Sequence, residues 1–407
     1  MPSAGDTVTG SNTELNTGLA RFRADVASWF AEHTPRDWRA ELDGLDEAGA
    51  RQFHLRWLHT LNQRGFAACA VPAEWGGGGY RAAEQVVIYE EWAAADGPNL
   101  DLFLVSLHHV PATLMIAGTE EQQRRYLADA IAGTVWCQGF SEPGAGSDLS
   151  NLRTRADQVD GGWRINGSKI WSTNASAARY CLLLARTDPN TLGGRGITYF
   201  ILDMDQPGVV VRPIRQNTGH AEFAEIFLED AFVPAENLLG QVGAGWAVAQ
   251  ATLAEERGPA GFDTLARIGV GLRQVGEQML DPADRAELAR LSARHHMVRS
   301  LALDLVDTIE RGDHTGLAAS LLKVAFSELL GEFTEFAGRV GGVDSLVDPG
   351  QRHSRGFVSG DWTIDWLGHW GWTISAGANE VQRNIIAEKL LGMPREPRPA
   401  PARRGTS

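Results

Sequence analysis

The stretch Trp136-Cys137-Gln138-Gly139-Phe140-Ser141-Glu142-Pro143-Gly144-Ala145-Gly146-Ser147-Asp148 is where the chain changes texture. It opens as an apolar strand and becomes a turn of small residues, which lets backbone approach a ligand closely. Ser141 and Ser147 add hydroxyls beside exposed backbone amides. Spacing alone favours the plainer reading, a strand-to-loop connection with ordinary turn chemistry. The segment lacks the Gly-Lys-Ser/Thr ending of a P-loop. It also lacks a Gly-x-Gly-x-x-Gly opening a helix, so it is no dinucleotide fingerprint.

Upstream of this stretch the pattern is helical. Leu19, Phe22, Val26 and Phe30 recur at three- and four-residue steps, and Pro35 ends the run. Further helical runs cover Asp46 to Gln63, Glu84 to Ala95 and Leu100 to Ile116, with Pro72 and Gly76 to Gly79 as a break. Thr119 stands three residues before Gln122, the spacing of a capping box. Downstream the pattern is β. Short strands are predicted at Leu152 to Ala156, Trp163 to Asn166, Lys169 to Thr173, Tyr180 to Ala185, Ile197 to Leu202, Val209 to Ile214 and Glu222 to Leu228. Asn166-Gly167 reads as a turn between two of them. After Gly245 long helices return, at Trp246 to Gly258 and on toward Gln274, Asp284 to Arg311, Thr315 to Phe336 and Glu380 to Leu391. Asp348 to Trp372 reads as a connector rich in Gly, His and Trp.

The predicted fold is therefore α+β: an N-terminal helical domain, a middle β-barrel or sandwich domain, and a C-terminal helical bundle. The expected boundaries are a flexible tail at 1–14, helical domain 15–135, β domain 136–243, bundle 244–393 and a disordered Pro- and Arg-rich tail 394–407.

Composition excludes several classes. The chain has 407 residues, 43% hydrophobic and 22% charged, so it is globular rather than disordered. No run approaches ~18 apolar residues, so no transmembrane helix is expected. The polar start, Met1 to Gly18, is not a secretory signal. Three cysteines, Cys69, Cys137 and Cys181, are too few and scattered for a disulfide framework or zinc site, and a cytoplasmic location is the simplest expectation. A net charge of −14 argues against nucleic-acid binding. His108-His109 and His295-His296 are adjacent pairs, not the i, i+4 spacing of a helical metal site, so no metal is expected.

Three motifs in order carry a specific resemblance. The segment 136–148, then Gly167-Ser168-Lys169-Ile170-Trp171-Ser172-Thr173-Asn174, then Gly377-Ala378-Asn379-Glu380-Val381-Gln382-Arg383-Asn384-Ile385-Ile386-Ala387 together resemble the acyl-CoA dehydrogenase family. The likeness runs from about residue 15 to 395. It implies the helical, β, four-helix-bundle order already read, with FAD as cofactor and oxidation of an acyl thioester to the 2-enoyl thioester.

Site residues follow from that resemblance position by position. Gln138, Phe140 and Ser141 sit where the family contacts the isoalloxazine ring, Trp171 where it covers the flavin face, and Thr173 where it reaches the N5 edge. Ser147 sits at the family's thioester-pantetheine contact. For Trp171 the plainer alternative is a core aromatic in a strand. Removing a thioester α-proton needs a desolvated carboxylate and a donor pair on the thioester oxygen. Much of the family places that carboxylate just before the Gly of the closing signature, where this chain has Ala376. A second subgroup, including isovaleryl- and long-chain-type enzymes, carries it on a bundle helix just before an Arg. Here Leu253-Ala254-Glu255-Glu256-Arg257 puts Glu256 and Arg257 in those places, and a helix turns Glu255 about 100° away. The Ala376 backbone N–H is still expected to hold the thioester carbonyl, a contact that needs no side chain.

On the adenine side, Arg273 falls near the family's Arg and Gln382 is retained, whereas Gly276, Glu335 and Ala378 depart from the pattern. The implied partners are an acyl-CoA or carrier-bound acyl substrate with a bulky or branched acyl group, and an electron-transfer flavoprotein as acceptor. The implied assembly is a homotetramer or homodimer, with a mixed tetramer as the alternative. Two other functional readings stand beside this one: a flavin monooxygenase or oxidase on the same fold, which needs no α-base, and a non-catalytic partner subunit. Retention of Glu256 and of the 141–148 loop weighs against both.

Overall fold

The computed structural model describes residues 6–256, 260–278, 280–313, 316–342 and 362–395; side chains at 6–16, 254–256 and 260 are outside that description. The N-terminal part is helical: α1 (Asp6–His33), α2 (Trp38–Asp43), α3 (Glu47–Asn62), α4 (Ala82–Ala94), α5 (Val110–Ala117) and α6 (Glu120–Ile131). A π-helical turn, Val105–His109, leads into α5. Local chemistry sets these ends. Asp46 caps α3 by accepting the Gly49 N–H at 2.8 Å. Thr119 and Gln122 exchange both bonds of the capping box, at 2.9 and 3.2 Å. The Gln122 amide also donates to the Glu236 and Leu238 carbonyls, which ties α6 to the end of the sheet.

Strands β1 (Trp136–Gly139), β2 (Arg155–Val159), β3 (Gly162–Thr173), β4 (Tyr180–Arg186), β5 (Ile197–Asp203), β6 (Val209–Ile214), β7 (Phe223–Pro234) and β8 (Leu238–Leu239) form one sheet. Its order is β6-β7-β3-β2-β4-β5-β8, with β1 added parallel to β4. Alternation along β4 and β5 divides two cores. Leu182, Leu184, Tyr199 and Ile201 face the helices with Trp136 and Val248. Leu183, Phe200 and Leu202 pack instead against Ile165, Ile226 and Val233 of β3 and β7. The sheet thus folds over its own inner face, as a sandwich or barrel requires.

Helices α7 (Gly245–Glu256), α8 (Ala260–Gly276), α9 (Pro282–Glu310), α10 (Gly316–Gly341), α11 (Trp362–Gly368), α12 (Trp370–Ile374) and α13 (Asn379–Ile385) close the chain. Helices α8, α9 and α10 pack on one another, and α4 lies along α8. One core therefore runs from Phe30, Trp57 and Phe66 through Phe262 and Leu272 to Phe326 and Phe333. Helix α7 packs apart from them, on α5 and β5.

Three expectations need correction. Asn166-Gly167 is not a turn between strands: β3 runs unbroken from Gly162 to Thr173 with a register shift there, and Gly167 at φ 150° supplies the bulge. A Cβ on Gly167 would lie 2.8 Å from the Thr154 Cα, so only glycine fits. The first helix begins at Asp6, inside the stretch read as a tail. The run from Trp246 toward Gln274 is helical at Gly245–Glu256 and Ala260–Gly276, with 257–259 outside the described residues. The described end of the Trp-rich connector, from Trp362 on, is helical. The remainder of that connector and the tail from 396 lie outside the description.

Candidate active site

Strand β1 sets Gln138 opposite Leu182 of β4, after which the chain leaves the sheet. Phe140 is buried edge-on against Tyr199, ring centroids 5.6 Å apart. The Ile170 N–H donates to the Ser141 carbonyl at 2.9 Å, which ties the loop to β3. Glu142 and Ala145 exchange backbone bonds at 3.0 and 3.1 Å around Pro143-Gly144. Ser141 is half-buried and Ser147 exposed, while Gly144 and Gly146 face open space.

A buried ion pair holds this loop from below. Lys169, 0% exposed, donates to Glu142 Oε1 at 2.9 Å and to the Phe140 carbonyl at 3.1 Å. Glu142 also accepts the Arg153 and Thr154 N–H groups at 2.6 and 2.8 Å. Burial by itself pushes the Glu142 carboxyl up, but the Lys169 charge and these hydrogen bonds together hold it below the usual carboxylate range. Burial lowers the Lys169 ammonium, and Glu142 partly offsets that. The two charges answer each other, so no buried charge is left alone.

Beyond Lys169 the register of β3 against β7 shifts again. Trp171 there has φ 62°, the left-handed region that a bulky side chain rarely adopts, and is 55% exposed. Its neighbours alternate with it: Ser172 and Asn174 are buried, Thr173 half-buried. Asn174 donates to the Asp101 carbonyl at 2.9 Å, anchoring this end of the sheet on the N-terminal helices. The strained backbone thus turns a large ring outward beside a pinned loop, an arrangement typical of ligand clamps.

The closing signature makes a second tight structure. Ala376 and Gly377 have φ 53° and 85°, and the Gln382 amide donates to their carbonyls at 3.0 and 3.3 Å. Gln382 is fully buried, and its Oε1 has no partner among the described residues. Asn379 is held by Lys323 at 2.7 Å and by Ser327, which fixes the start of α13 on α10. Asn217 donates to the Leu367 carbonyl at 3.2 Å, linking a β-domain turn to this C-terminal region.

The structure therefore brings Phe140, Ser141 and Lys169 to Thr173 together, and separately Gln382 with Ala376. Glu256 is the last residue of α7; its side chain, and all of Arg257, are outside the described residues. Arg273 is exposed, on a groove it shares with Arg23, Glu90, His295 and Arg299, which none of the loop residues lines. Sequence reading passed over the Lys169–Glu142 pair. The signal was present only as two charged letters beside apolar runs, 27 residues apart.

Three family models match in order along the chain: the acyl-CoA dehydrogenase N-terminal domain at residues 19–134, middle domain at 137–231 and C-terminal domain at 243–391. The acyl-CoA dehydrogenase IpdE1 of Mycobacterium tuberculosis is 36% identical over 395 residues, covering 93% of this chain and 98% of the relative. Among solved structures, the Tcur3481-Tcur3483 steroid acyl-CoA dehydrogenase superposes with a TM-score of 0.78 at 28% identity, covering 93% of this chain and 98% of that one. The ChsE4-ChsE5 complex from Mycobacterium tuberculosis superposes with 0.76 at 27%, with the same coverage. The chain belongs to the acyl-CoA dehydrogenase family. It is accordingly an oxidoreductase acting on CH–CH donors, in a family of flavoproteins.

Proposed function

We propose that this protein dehydrogenates a bulky or branched acyl-CoA between Cα and Cβ, with FAD as its cofactor. The observation that carries the reading is the pinned 140–147 loop beside Trp171, whose left-handed backbone turns its ring outward. These residues fit a flavin. Trp171 offers a flat aromatic face, Ser141 and Thr173 supply half-buried hydroxyls, and Gln382 Oε1 is a buried acceptor with no partner among the described residues. Gln138, Phe140, Ser141, Trp171, Thr173 and Gln382 would hold the group, with Arg273 reaching the adenine end of a neighbouring copy's cofactor.

Bound FAD would supply the acceptor for the hydride leaving Cβ. Glu256 takes the α-proton. The Ala376 N–H donates to the thioester carbonyl, stabilising the charge that develops there. Ser147 and Arg257 bind the thioester and its pantetheine arm. The names of the relatives, two of them steroid or ChsE-type assemblies, support a polycyclic or branched acyl group. They also support a two-chain enzyme as the alternative to a homotetramer. Exposed Trp366, Trp370, Ile374, Leu391 and Met393 on the C-terminal segment give such an assembly an apolar surface. The electron acceptor in this reading is an electron-transfer flavoprotein.

The test is anaerobic bleaching of the flavin near 450 nm by isobutyryl-CoA, octanoyl-CoA and a sterol-acid CoA thioester. Rapid bleaching by the sterol-acid thioester supports the reading. Bound flavin that ignores all three thioesters, yet reacts quickly with oxygen after chemical reduction, replaces it with an oxygenase. Flavin bound only on co-expression with a second chain makes this protein one subunit of a mixed enzyme.

A further inference from the structure

Of the three cysteines, Cys69 stands apart and the other two face each other. Strands β1 and β4 run parallel with Cys137 directly opposite Cys181. Alternation sends both side chains to the same side of the sheet, into the core formed with Ile165, Leu183 and Phe200. The two thiols lie close enough to act as hydrogen-bond partners. Neighbouring strands are about 4.8 Å apart, inside the Cα separation of about 4.4–6.8 Å that a disulfide spans. Both cysteines are free thiols in this structure.

The pair sits under the start of the 140–148 loop. A Cβ built on Gly139 would lie 2.9 Å from the Cys181 sulfur and 3.5 Å from the Lys169 Cγ, so a glycine lets the backbone rest against that sulfur. The Lys169 ammonium, depressed by burial, is raised by Glu142 and more weakly by Cys181. Cys181 is thus the sulfur beside a positive charge. Burial pushes the Cys137 thiol well above its ordinary range, so Cys181 is the one to react first.

We infer that Cys137 and Cys181 form an oxidisable dithiol, and that a disulfide between them loosens the loop above. The effect on the loop's ligand rests on the proposed flavin site; the bond itself does not. Peroxide is the oxidant. The Cys181 sulfur attacks one peroxide oxygen, the O–O bond breaks, and the thiol proton leaves with the departing oxygen as water. The Cys137 sulfur then attacks the resulting sulfenic acid, the S–O bond breaks, and a second water carries off the Cys137 proton. The two thiols lose two electrons in all, and one peroxide is reduced to two waters. Both cysteines are 0% exposed, so the reaction proceeds through local opening of β1, a strand of four residues. Bonding moves the Cys181 sulfur from its place against Gly139 and beside Lys169, and Lys169 holds the Phe140 carbonyl and Glu142.

The experiment treats the holoenzyme with hydrogen peroxide, blocks the remaining thiols with N-ethylmaleimide in denaturant, and maps the peptides by mass spectrometry. Flavin release is followed on the same samples by fluorescence. The expected product is a Cys137–Cys181 cross-link, with Cys69 still alkylated because its hydrogen-bond partner is the Tyr89 hydroxyl rather than a thiol. Flavin binding should weaken about tenfold and recover with dithiothreitol. Cys137→Ala, treated identically, should keep its flavin. Three alkylated cysteines after treatment overturn the inference. A cross-link with unchanged flavin binding, or equal flavin loss in Cys137→Ala, overturns the coupling to the loop. A chain that carries no flavin before treatment, yet forms the cross-link, removes the flavin reading and leaves the dithiol standing.

Discussion

Beneath the 140–148 loop the buried polar groups form a charged pair; between α5 and α7 they include a pair of hydroxyls, Thr113 and Thr252. Lys169 donates to the Phe140 carbonyl and to Glu142, and Glu142 accepts the Arg153 and Thr154 N–H groups, so the pair ties the loop to the chain that follows it. The seam between α5 and α7 holds the Thr113–Thr252 bond and, at its π-helical end, the His108-His109 turn. The two regions have different tasks. The loop presents backbone and hydroxyls in a fixed shape, and a satisfied ion pair supplies rigidity there. The seam runs along α7 toward its last residue, Glu256, the proposed base.

Breaking the charged seam should have the larger effect. Lys169→Met leaves Glu142 buried without its counter-charge and should cost about 3–5 kcal/mol, read as a drop in urea midpoint together with loss of bound flavin. The double change Lys169→Met with Glu142→Gln should cost clearly less, because no charge is stranded. Equal losses for single and double variants would show that volume rather than charge sets the loop.

The seam that carries His108 should break with acid instead. Burial, with a smaller contribution from His109, lowers His108 from 6.5 to about 4. Between those values the unfolded chain takes up a proton before the folded one. Stability is therefore complete above pH 6.5 and falls as pH drops toward 4, by up to about 3 kcal/mol from this group. His295 and His369, also lowered by burial, act in the same sense. His108→Gln should flatten the stability–pH curve between pH 7 and 5 by about 2 kcal/mol, whereas a curve parallel to wild type would place the acid sensitivity elsewhere.

A smaller effect should separate the closing turn from both. Gln382→Ala removes the two bonds that hold Ala376 and Gly377 at positive φ, and should cost about 1–2 kcal/mol of stability and about tenfold in flavin affinity. Unchanged flavin affinity would leave Gln382 a purely structural residue.

Much of this architecture could be read from local letters. The Leu19-Phe22-Val26-Phe30 stripe and the Thr119–Gln122 box are short-range signals, and each marks a helix in the structure. The exchange of helix for strand at Trp136 was legible for the same reason. Asn166-Gly167 misled because a glycine that accepts an unusual φ serves a bulge inside one long strand as well as a turn between two. The Trp-rich stretch looked like a connector because its glycines outweighed its short helical runs, α11 and α12. The proposed flavin-contact positions came from motif resemblance, not from periodicity. The Lys169–Glu142 pair and the burial of His109 depend on tertiary contacts, so no spacing rule reports them.

The central claim is that the loop cradles the flavin while α7 supplies the base. Its most direct test is the anaerobic bleaching rate of Glu256→Gln against wild type, with flavin content measured on the same samples. The account predicts full flavin occupancy and bleaching slowed by about 10²- to 10⁴-fold. Bleaching at the wild-type rate would contradict it, because the α-proton would then be leaving to a group other than Glu256.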